Sequence, residues 1–588
     1  MKKFAYLGAF AGLFTLASCG KQTSPNVLFI LTDDQGWGDF GFNGNEDIST
    51  PRLDSLQSES VHLTNFYVSP LSASTRAGIL TGRYHLRTGT LGVTRGAENM
   101  SSDECTIAEA LKDGGYRTGC FGKWHNGATY PQDAMGQGFD EFVGFNGGHI
   151  ANYFSTDLLH NRELKPSKGF ITDYLTDMAI QFMSKKSDKP FFCYLPYNAP
   201  HAPIQVPDEF YDKYKHLQKN KYDMTAGVWA MCENIDMNVG RLLDFLEQKE
   251  LLENTIVVFT TDNGPKSPRY NGNLRGVKGH IYEGGFKTPC LIYWKGKLVH
   301  TQIDETLSYI DLMPTLLGLC NVDYTSDKSE NTHGEVREMD GIDFSPLLNG
   351  EKIDEINNRY LFTHKSPSET ELTDHESTIF NSRYKLIHRK KDSYELYDKS
   401  IDPSEKEDIS TLKPEVLKVM KTQLDSCFND VQADYLKNIQ RLPTVGILDE
   451  PVTLPAHEAK VFSTTAHYNA NKWGWAGDWF TDFSSEDRVH WSLNVAESGE
   501  YKIYVQYAMK EGVASIALKG QDKIKLDNFF PKKIDSPDRA IRGVAYEQIW
   551  AVKELAQVKL NKGENTIELI INGAEPKCLE IKGIIIKK

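Results

Sequence analysis

Asn26-Val27-Leu28-Phe29-Ile30-Leu31 runs without a polar interruption after its first residue and then breaks into Thr32-Asp33-Asp34-Gln35. A half-exposed strand alternates apolar and polar residues, whereas this run stays apolar, as in a strand buried on both faces. The same texture returns in Pro190-Phe191-Phe192-Cys193-Tyr194-Leu195 and in Thr255-Ile256-Val257-Val258-Phe259. Helix candidates lie between the runs. Thr106-Ile-Ala-Glu109 has capping-box spacing ahead of Ala110-Leu111, and Gly114-Gly115 supplies a stop. Ile235, Val239, Leu242 and Leu246 mark one helical stripe before the third strand. This alternation, from residue 25 to about 330, predicts an α/β domain with a mostly parallel central sheet flanked by helices.

Further along, residues 331–440 mix short strands and helices, among them Arg383-Tyr-Lys-Leu-Ile387 and Tyr394-Glu-Leu-Tyr397, and predict a smaller α+β subdomain. A linker with Pro443, Pro451 and Pro455 is expected next. Beyond it the period changes to two: Tyr501, Ile503, Val505 and Tyr507 share a face, followed by Val513 to Leu518, Asn565 to Ile571 and Leu579 to Ile586. Short strands with Gly turns predict a C-terminal β-sandwich over 450–588.

At the other end, Lys2 and Lys3 precede the apolar run Phe4 to Ala17, too short for a permanent span, so residues 1–18 read as a signal peptide. It ends in Leu16-Ala17-Ser18-Cys19, which resembles the bacterial lipobox and implies a lipid anchor on Cys19. The expectation is an exported lipoprotein of a Gram-negative bacterium, facing the periplasm or on the cell surface. No later segment approaches roughly 18 uninterrupted apolar residues. The remaining cysteines (105, 120, 193, 232, 290, 320, 427, 578) contain no CxxC pair, which argues against zinc or iron–sulfur ligation, and their spacing names no disulfide. Most read as buried thiols. With 588 residues and a net charge of −14, the chain has room for two or three domains and lacks the basic excess of nucleic-acid binders. An anionic substrate must be held by local cations.

Ligands of open α/β sheets sit beyond the carboxyl ends of the strands. Here those ends read Thr32-Asp33-Asp34-Gln35, Thr261-Asp262-Asn263-Gly264 and, a few residues past the second strand, Pro200-His201-Ala202-Pro203. Carboxylate pairs on one edge repel unless a cation separates them, and such hard oxygen donors suit Ca²⁺ or Mg²⁺ better than zinc. Ser69-Pro-Leu-Ser72-Ala-Ser-Thr-Arg76-Ala-Gly-Ile-Leu80-Thr-Gly-Arg83 allows two readings. One is a Ser N-cap on a two-turn helix. The other is a nucleophile at a positive helix end, with Arg76 one turn on.

That segment resembles the signature of the formylglycine-dependent (type I) sulfatases of the alkaline phosphatase superfamily: Cys or Ser, any residue, Pro, Ser, Arg, then a short helix ending in Leu-Thr-Gly. Ser72 stands at the position that becomes formylglycine, with Arg76 and Leu80-Thr81-Gly82 in register; Ser74 and Thr75 depart from the usual Pro and Ser. Asp33-Asp34 and Asp262-Asn263 match the family's calcium ligands, and Gly122-Lys123-Trp124-His125 its second signature. Pro200-His201-x-Pro203, Arg275-Gly-x-Lys278 and Glu283-Gly-Gly285 match further active-site segments, while Asp54 and Asp311 look like scaffold landmarks. The resemblance implies sulfate-ester hydrolysis on a sulfated glycan (a glycosaminoglycan, mucin or algal polysaccharide). It implies one Ca²⁺, in preference to Mg²⁺, held by Asp33, Asp34, Ser72, Asp262 and Asn263. A serine at position 72 implies maturation to formylglycine by a radical-type anaerobic maturase. Hydrated formylglycine would attack, steadied by Arg76. Lys123 and Lys278 would clamp the sulfuryl oxygens, His201 would protonate the leaving sugar oxygen, and His125 would take the proton that lets sulfate go.

Two other readings stand beside this one. A phosphodiesterase or phosphatase of the same superfamily would use Ser72 unmodified, although those enzymes usually carry two zinc ions and a His where this chain has Asn263. A non-catalytic glycan-binding lipoprotein is the other. Trp473, Trp475 and Trp479 either stack on sugars, as in a carbohydrate-binding module, or pack a core. Arg87, Arg95, His149, Asn152 and Arg269 are polar residues near the motifs, readable as sugar contacts or as ordinary surface.

Overall fold

The computed structural model describes residues 24–324, 337–366, 372–437, 442–447, 450–469, 477–534, 536–541, 547–575 and 578–588. The signal peptide, Cys19, Trp473 and Trp475 lie outside them. The three apolar runs are Asn26–Thr32, Phe191–Pro196 and Thr255–Thr261, and they lie side by side, the first paired in parallel with both others. The side chains explain the uniform hydrophobicity. Val27, Phe29 and Leu31 enter one core while Leu28 and Ile30 enter another on the opposite face. Period-two alternation survives as direction, not as polarity.

Arg117–Lys123 and Glu141–Phe145 extend the parallel part beyond Phe191–Pro196. Antiparallel neighbours finish both sides: Lys287–Tyr293 and Val61–Tyr67 on one, Asp157–His160 and Glu163–Pro166 on the other. The result is an 11-stranded mixed sheet. One face packs on Pro51–Glu59, Ile171–Met183 and the 24-residue helix Thr225–Gln248, whose predicted stripe (Ile235, Val239, Leu242, Leu246) is fully buried. The other packs on Ile107–Asp113, Leu312–Cys320 and Pro414–Tyr435. The capping box forms, with Thr106 accepting from the Glu109 amide and Glu109 from the Thr106 amide.

A four-stranded antiparallel sheet follows, Leu361–His364, Ser377–Phe380, Tyr384–Lys390 and Ser393–Asp398, with Pro414–Tyr435 packed on it. The C-terminal region is two sheets around one core. Arg488–Val495, Gly563–Asn572 and Ser515–Leu518 form the spine of one; Leu579–Lys587, Gly499–Met509 and Ala551–Leu560 form the other. Tyr501, Ile503, Val505 and Tyr507 face inward together.

The proline-marked segment does not behave as a linker. Thr444–Val445 pairs with Arg488–Val495, and Val452–Pro455 pairs with Leu579–Lys587. Pro451 and Pro455 sit just before and at the end of a strand, where a missing ladder donor is tolerated. The eight described cysteines are free thiols, seven of them buried. Among the described residues no helix is long and apolar enough to cross a membrane.

Candidate active site at the carboxyl edge of the sheet

Where the first strand ends, the chain turns sharply. Asp34 takes a left-handed conformation (φ 66°), which brings its amide onto Asp262 Oδ1 at 3.1 Å. The Asp33 amide donates to the Ala199 carbonyl and the Asp262 amide to that of Thr32. Three strand ends are thereby tied into one floor. Arg269 and Asp39 brace it: Arg269 ion-pairs with Asp39 and donates to the Asp34 carbonyl at 3.0 Å. Arg269 is therefore a buried strut, neither sugar contact nor surface, and nothing in its local sequence signals this.

Ser72 is the first residue of a ten-residue buried helix, Ser72–Thr81, and not its N-cap, which is Leu71. Its hydroxyl therefore faces the floor instead of capping the helix. Oγ lies 3.0 Å from Asn263 Oδ1, 3.2 Å from Asp33 Oδ1 and 3.2 Å from Lys278 Nζ. The unusual Thr75 keeps a local role, since its hydroxyl accepts from the Ser69 amide and donates to the Ser69 carbonyl.

The cations come from three elements. Arg76, one turn along the helix, donates to Asp262 Oδ2 (2.9 Å) and to the Lys123 carbonyl (3.0 Å), and lies 3.6 Å from Asp33. Lys123, at the end of Arg117–Lys123, reaches Asp33 Oδ2 at 2.6 Å. Gly122 before it (φ 145°) has to be glycine, because a Cβ there would meet the Pro196 carbonyl oxygen at 2.0 Å. Lys278 contacts Asp34 Oδ1, which also accepts from the Asn263 side-chain Nδ2 at 2.8 Å.

Every predicted catalytic or metal-binding residue except the two histidines is joined by these contacts. His201 stands close by, its Nε2 3.8 Å from Asp34 Oδ2. Its Nδ1 is 2.6 Å from the Ala202 carbonyl, so that nitrogen carries the proton and Nε2 presents a lone pair. His149, readable from sequence as a sugar contact or as ordinary surface, sets its ring edge-on to His201 at 5.3 Å. His125 makes the opposite choice. Nε2 donates to the Val93 carbonyl at 2.8 Å, leaving Nδ1 bare and without a hydrogen-bond partner among the described residues. Gly148 lies so close to this ring that a Cβ would meet Nε2 at 2.2 Å; sequence reading passed over it, although the Gly147-Gly148 pair was visible.

Burial is the largest influence on every one of these groups. It lowers His125 well below the usual imidazole range and takes His201 to about 4 against the pull of Asp34 and Asp33. Asp33 and Lys123 respond unequally to each other. Burial would raise Asp33, but Lys123, His201, Lys278 and Arg76 together hold it well below the ordinary value. Lys123 has Asp33 as its main counter-charge and Arg76 and Lys278 as competitors, so burial draws it down to about 8. Asp262, beside Asp33, rises to about 6.

Asp33, Asp34 and His201 could together hold a metal ion, and Asp34 Oδ2 is a buried carboxylate oxygen with no hydrogen-bond partner among the described residues. With Asp262 and Asn263 adjoining, the donor set is mostly hard oxygen, which fits a hard divalent cation. Other matched segments serve as scaffold. Glu283 bonds Tyr67 and ion-pairs with Lys385 of the four-stranded sheet, and Arg275 bonds Tyr397 and the Glu405 carbonyl. Asp54 caps a turn through the Phe42 amide, and Asp311 pairs with Arg359. Arg87 is ion-paired with Asp340, Asp430 and Asp434, Arg95 lies over the Tyr468 ring, and Asn152 accepts from the Phe154 amide. Trp479 is buried against Trp550.

A hydroxyl held among carboxylates and cations at the carboxyl edge of such a sheet fits an ester hydrolase of the alkaline phosphatase superfamily. Residues 25–322 match the sulfatase family, and residues 277–433 match the family described as N-sulphoglucosamine sulphohydrolase, C-terminal. The chain belongs to the sulfatase family and is a sulfuric ester hydrolase. It is 30% identical over 493 residues to the uncharacterized sulfatase YdeN of Escherichia coli, an alignment covering 69% of this chain and 86% of that one. It is 29% identical to human N-acetylgalactosamine-6-sulfatase over 376 residues, 58% of this chain and 69% of the relative. Among solved structures, that of Ps i-CgsB in complex with k-i-k-neocarrahexaose superposes with a TM-score of 0.62 at 30% identity, covering 70% of this chain and 94% of that one.

Proposed function

We propose that this protein hydrolyses a sulfate ester on a sugar of a sulfated glycan, with Ser72 matured to formylglycine by an anaerobic radical-type maturase and one Ca²⁺ in its site. The observation that carries the reading is the position of Ser72 Oγ, in contact at once with Asp33, Asn263 and Lys278. Asp33, Asp34, Asp262 and Asn263 would hold the metal, which would supply a Lewis acid at the sulfuryl oxygens. Formylglycine, when hydrated, supplies an attacking hydroxyl and a second one that a single serine hydroxyl lacks.

The chain's own groups do the rest. Lys278, whose charge Asp34 and Asp33 favour although burial opposes it, and Lys123 surround the place where sulfuryl charge gathers. Arg76 fixes Asp262 and the Lys123 backbone and keeps residue 72 oriented. His201 Nε2, which carries no proton while Nδ1 bonds the Ala202 carbonyl, would take one up under the added negative charge of the ester and pass it to the leaving sugar oxygen, with Lys278 assisting. His125, with Nε2–H fixed on Val93, offers Nδ1 as the base for the hydroxyl proton at residue 72. The relatives' names (an N-acetylgalactosamine-6-sulfatase, and a structure with neocarrahexaose) favour a carbohydrate ester. The lipobox supports an exported, lipid-anchored protein.

The test is peptide mass spectrometry of residue 72 in protein from its native host, paired with sulfate release from sulfated saccharides. The expected result is loss of H₂ from Ser72, hydrazide reactivity and sulfate release. Active native protein with an unmodified Ser72 and phosphate-ester turnover would replace this reading with the phosphoesterase one.

A further inference from the structure

Among the contacts that the described residues of the C-terminal sandwich make with the catalytic unit, two lead to the active-site histidines, while a third, where the Thr444 amide donates to the Tyr130 carbonyl, leads to neither. The first is the strap 91–99. Its backbone closes on itself, the amides of Leu91 and Gly92 both donating to the Ala97 carbonyl (2.8 and 2.9 Å) and that of Ala97 to Thr94. Its Val93 carbonyl fixes the His125 tautomer at 2.8 Å. The sandwich grips its outer side. The Arg95 guanidinium lies 4.6 Å from the centre of the Tyr468 ring, and the His457 ring leaves no slack over Gly96, where a Cβ would meet Cδ2 at 3.3 Å. His457 is itself locked, its Nδ1 2.8 Å and its amide 3.1 Å from the carboxylate of Asp478, which Tyr468 also bonds.

The second contact is the loop 536–541. Asp538 Oδ1 accepts from Gln205 Nε2 at 2.8 Å, Gln205 Oε1 accepts from the Tyr153 amide at 2.8 Å, and Tyr153 Oη donates to the His201 carbonyl at 2.9 Å. Arg539 closes the junction, its amide donating to the Ile204 carbonyl (2.7 Å) and its guanidinium to that of Val206 (2.8 Å). The residues immediately after His201 are thus hydrogen-bonded to the sandwich from both side chain and backbone.

We propose that the sandwich is a positioning element of the active site and not a tethered accessory: His457 and Asp478 hold the strap that presents the Val93 carbonyl to His125, and Asp538 holds the His201 backbone through Gln205 and Tyr153. The inference rests on the roles assigned above to the two histidines. None of these sandwich residues touches the reacting atoms. They act by keeping two imidazoles in one geometry, where a displacement of about 1 Å can cost up to about 10²-fold in rate.

The test uses full-length protein with matured residue 72 and a small aryl sulfate, too short to reach the sandwich. His457→Ala and Asp538→Ala are expected to lower kcat about tenfold each with KM within about twofold, at a temperature where melting curves show both folded. Asp538→Asn, which keeps the oxygen acceptor, is expected to restore most of the rate. Gln205→Met breaks the same bond from the other side and carries the test should Asp538→Ala not fold. Folded variants with kcat within about twofold of the parent would overturn the inference. A failure of the sulfatase reading is distinct, since the unmutated, matured protein would then release no sulfate.

Discussion

Raising the pH should loosen the junction between sandwich and catalytic unit, because it is locked by a buried imidazolium. Burial disfavours the charge on His457, but the hydrogen bond and charge of Asp478, with Glu98 and Glu458 nearby, outweigh it and lift the group from 6.5 to about 9. Asp478 agrees from its side, being held below its ordinary value by His457 despite its own burial. A histidine whose folded value exceeds its unfolded one contributes stability that is fully present below about pH 6.5. That contribution disappears as pH rises through about 9. At about 1.36 kcal/mol per tenfold, the difference amounts to about 3 kcal/mol. The side chain is only 11% exposed, so solvent screening trims this little. The assay is calorimetry of the full chain between pH 6 and 10, for parent and His457→Leu. The parent's sandwich transition should fall by on the order of 10 °C across the range, and the variant's should begin low and stay flat by comparison. Equal pH dependence in the two proteins would refute the reasoning.

Other expectations follow from the same geometry. Arg76→Lys keeps the charge but loses the fork that spans Asp262 and the Lys123 carbonyl; it should lower kcat by on the order of 10²-fold or more with a Tm drop, read by aryl sulfate turnover and melting. Ile235→Ala, on the fully buried stripe of the long helix, should destabilise by about 2–5 kcal/mol in denaturant titrations without changing KM. Trp479→Ala should cost about 3–5 kcal/mol of sandwich stability, since the ring is buried against Trp550, and unchanged melting with lost glycan binding would contradict that packing role. Stripping metal with a chelator should sharply lower turnover at subsaturating substrate and lower Tm, and Ca²⁺ should restore both; full activity in chelated protein would remove the proposed metal.

Legibility in the sequence tracked the kind of interaction involved. Local signals were readable because local rules decide them. The Thr106–Glu109 box, the helical stripe of Thr225–Gln248 and the inward face of Tyr501 to Tyr507 depend on spacing alone. The Asp33, Ser72, Lys123 and Lys278 cluster was readable as motifs, but not as geometry. By its local sequence Ser72 fits a helix cap as well as a nucleophile, whereas its hydroxyl is held by three groups between 39 and 206 residues away in sequence. Val93, Gln205 and Asp538 were invisible because they act through a carbonyl or a neutral amide, or through a carboxylate 333 residues from its partner. The prolines of 443–455 misled for a related reason: Pro excludes a central strand but not an edge or a strand end, and periodicity cannot tell these apart.

Charge counting connects the site to the whole chain. Asp33, Asp34 and Asp262 face Arg76, Lys123 and Lys278, and among the described residues the other ion pairs at this floor are His201 on Asp34 and the self-balancing Arg269–Asp39 brace. Three carboxylates against three cations leave a site near neutrality, in a chain whose net charge is −14. A sulfate ester entering such a site would surrender its hydration for no net positive field, which is unfavourable in a buried setting. One divalent cation among these carboxylates changes the sum to +2, and the buried, unpartnered Asp34 Oδ2 is an oxygen that could receive it. The cations already present are each committed to a carboxylate, so they would orient the sulfuryl oxygens more than attract them. On this reasoning a metal held there would decide whether the anion binds, beyond any Lewis-acid help it gives, and Lys123, Lys278 and the two histidines would act mainly on the rate of reaction. Chelation should therefore raise KM before Lys123→Ala does, and Lys123→Ala should act mainly on kcat; the reverse pattern in steady-state kinetics would show that the lysines, not the metal, supply the attraction.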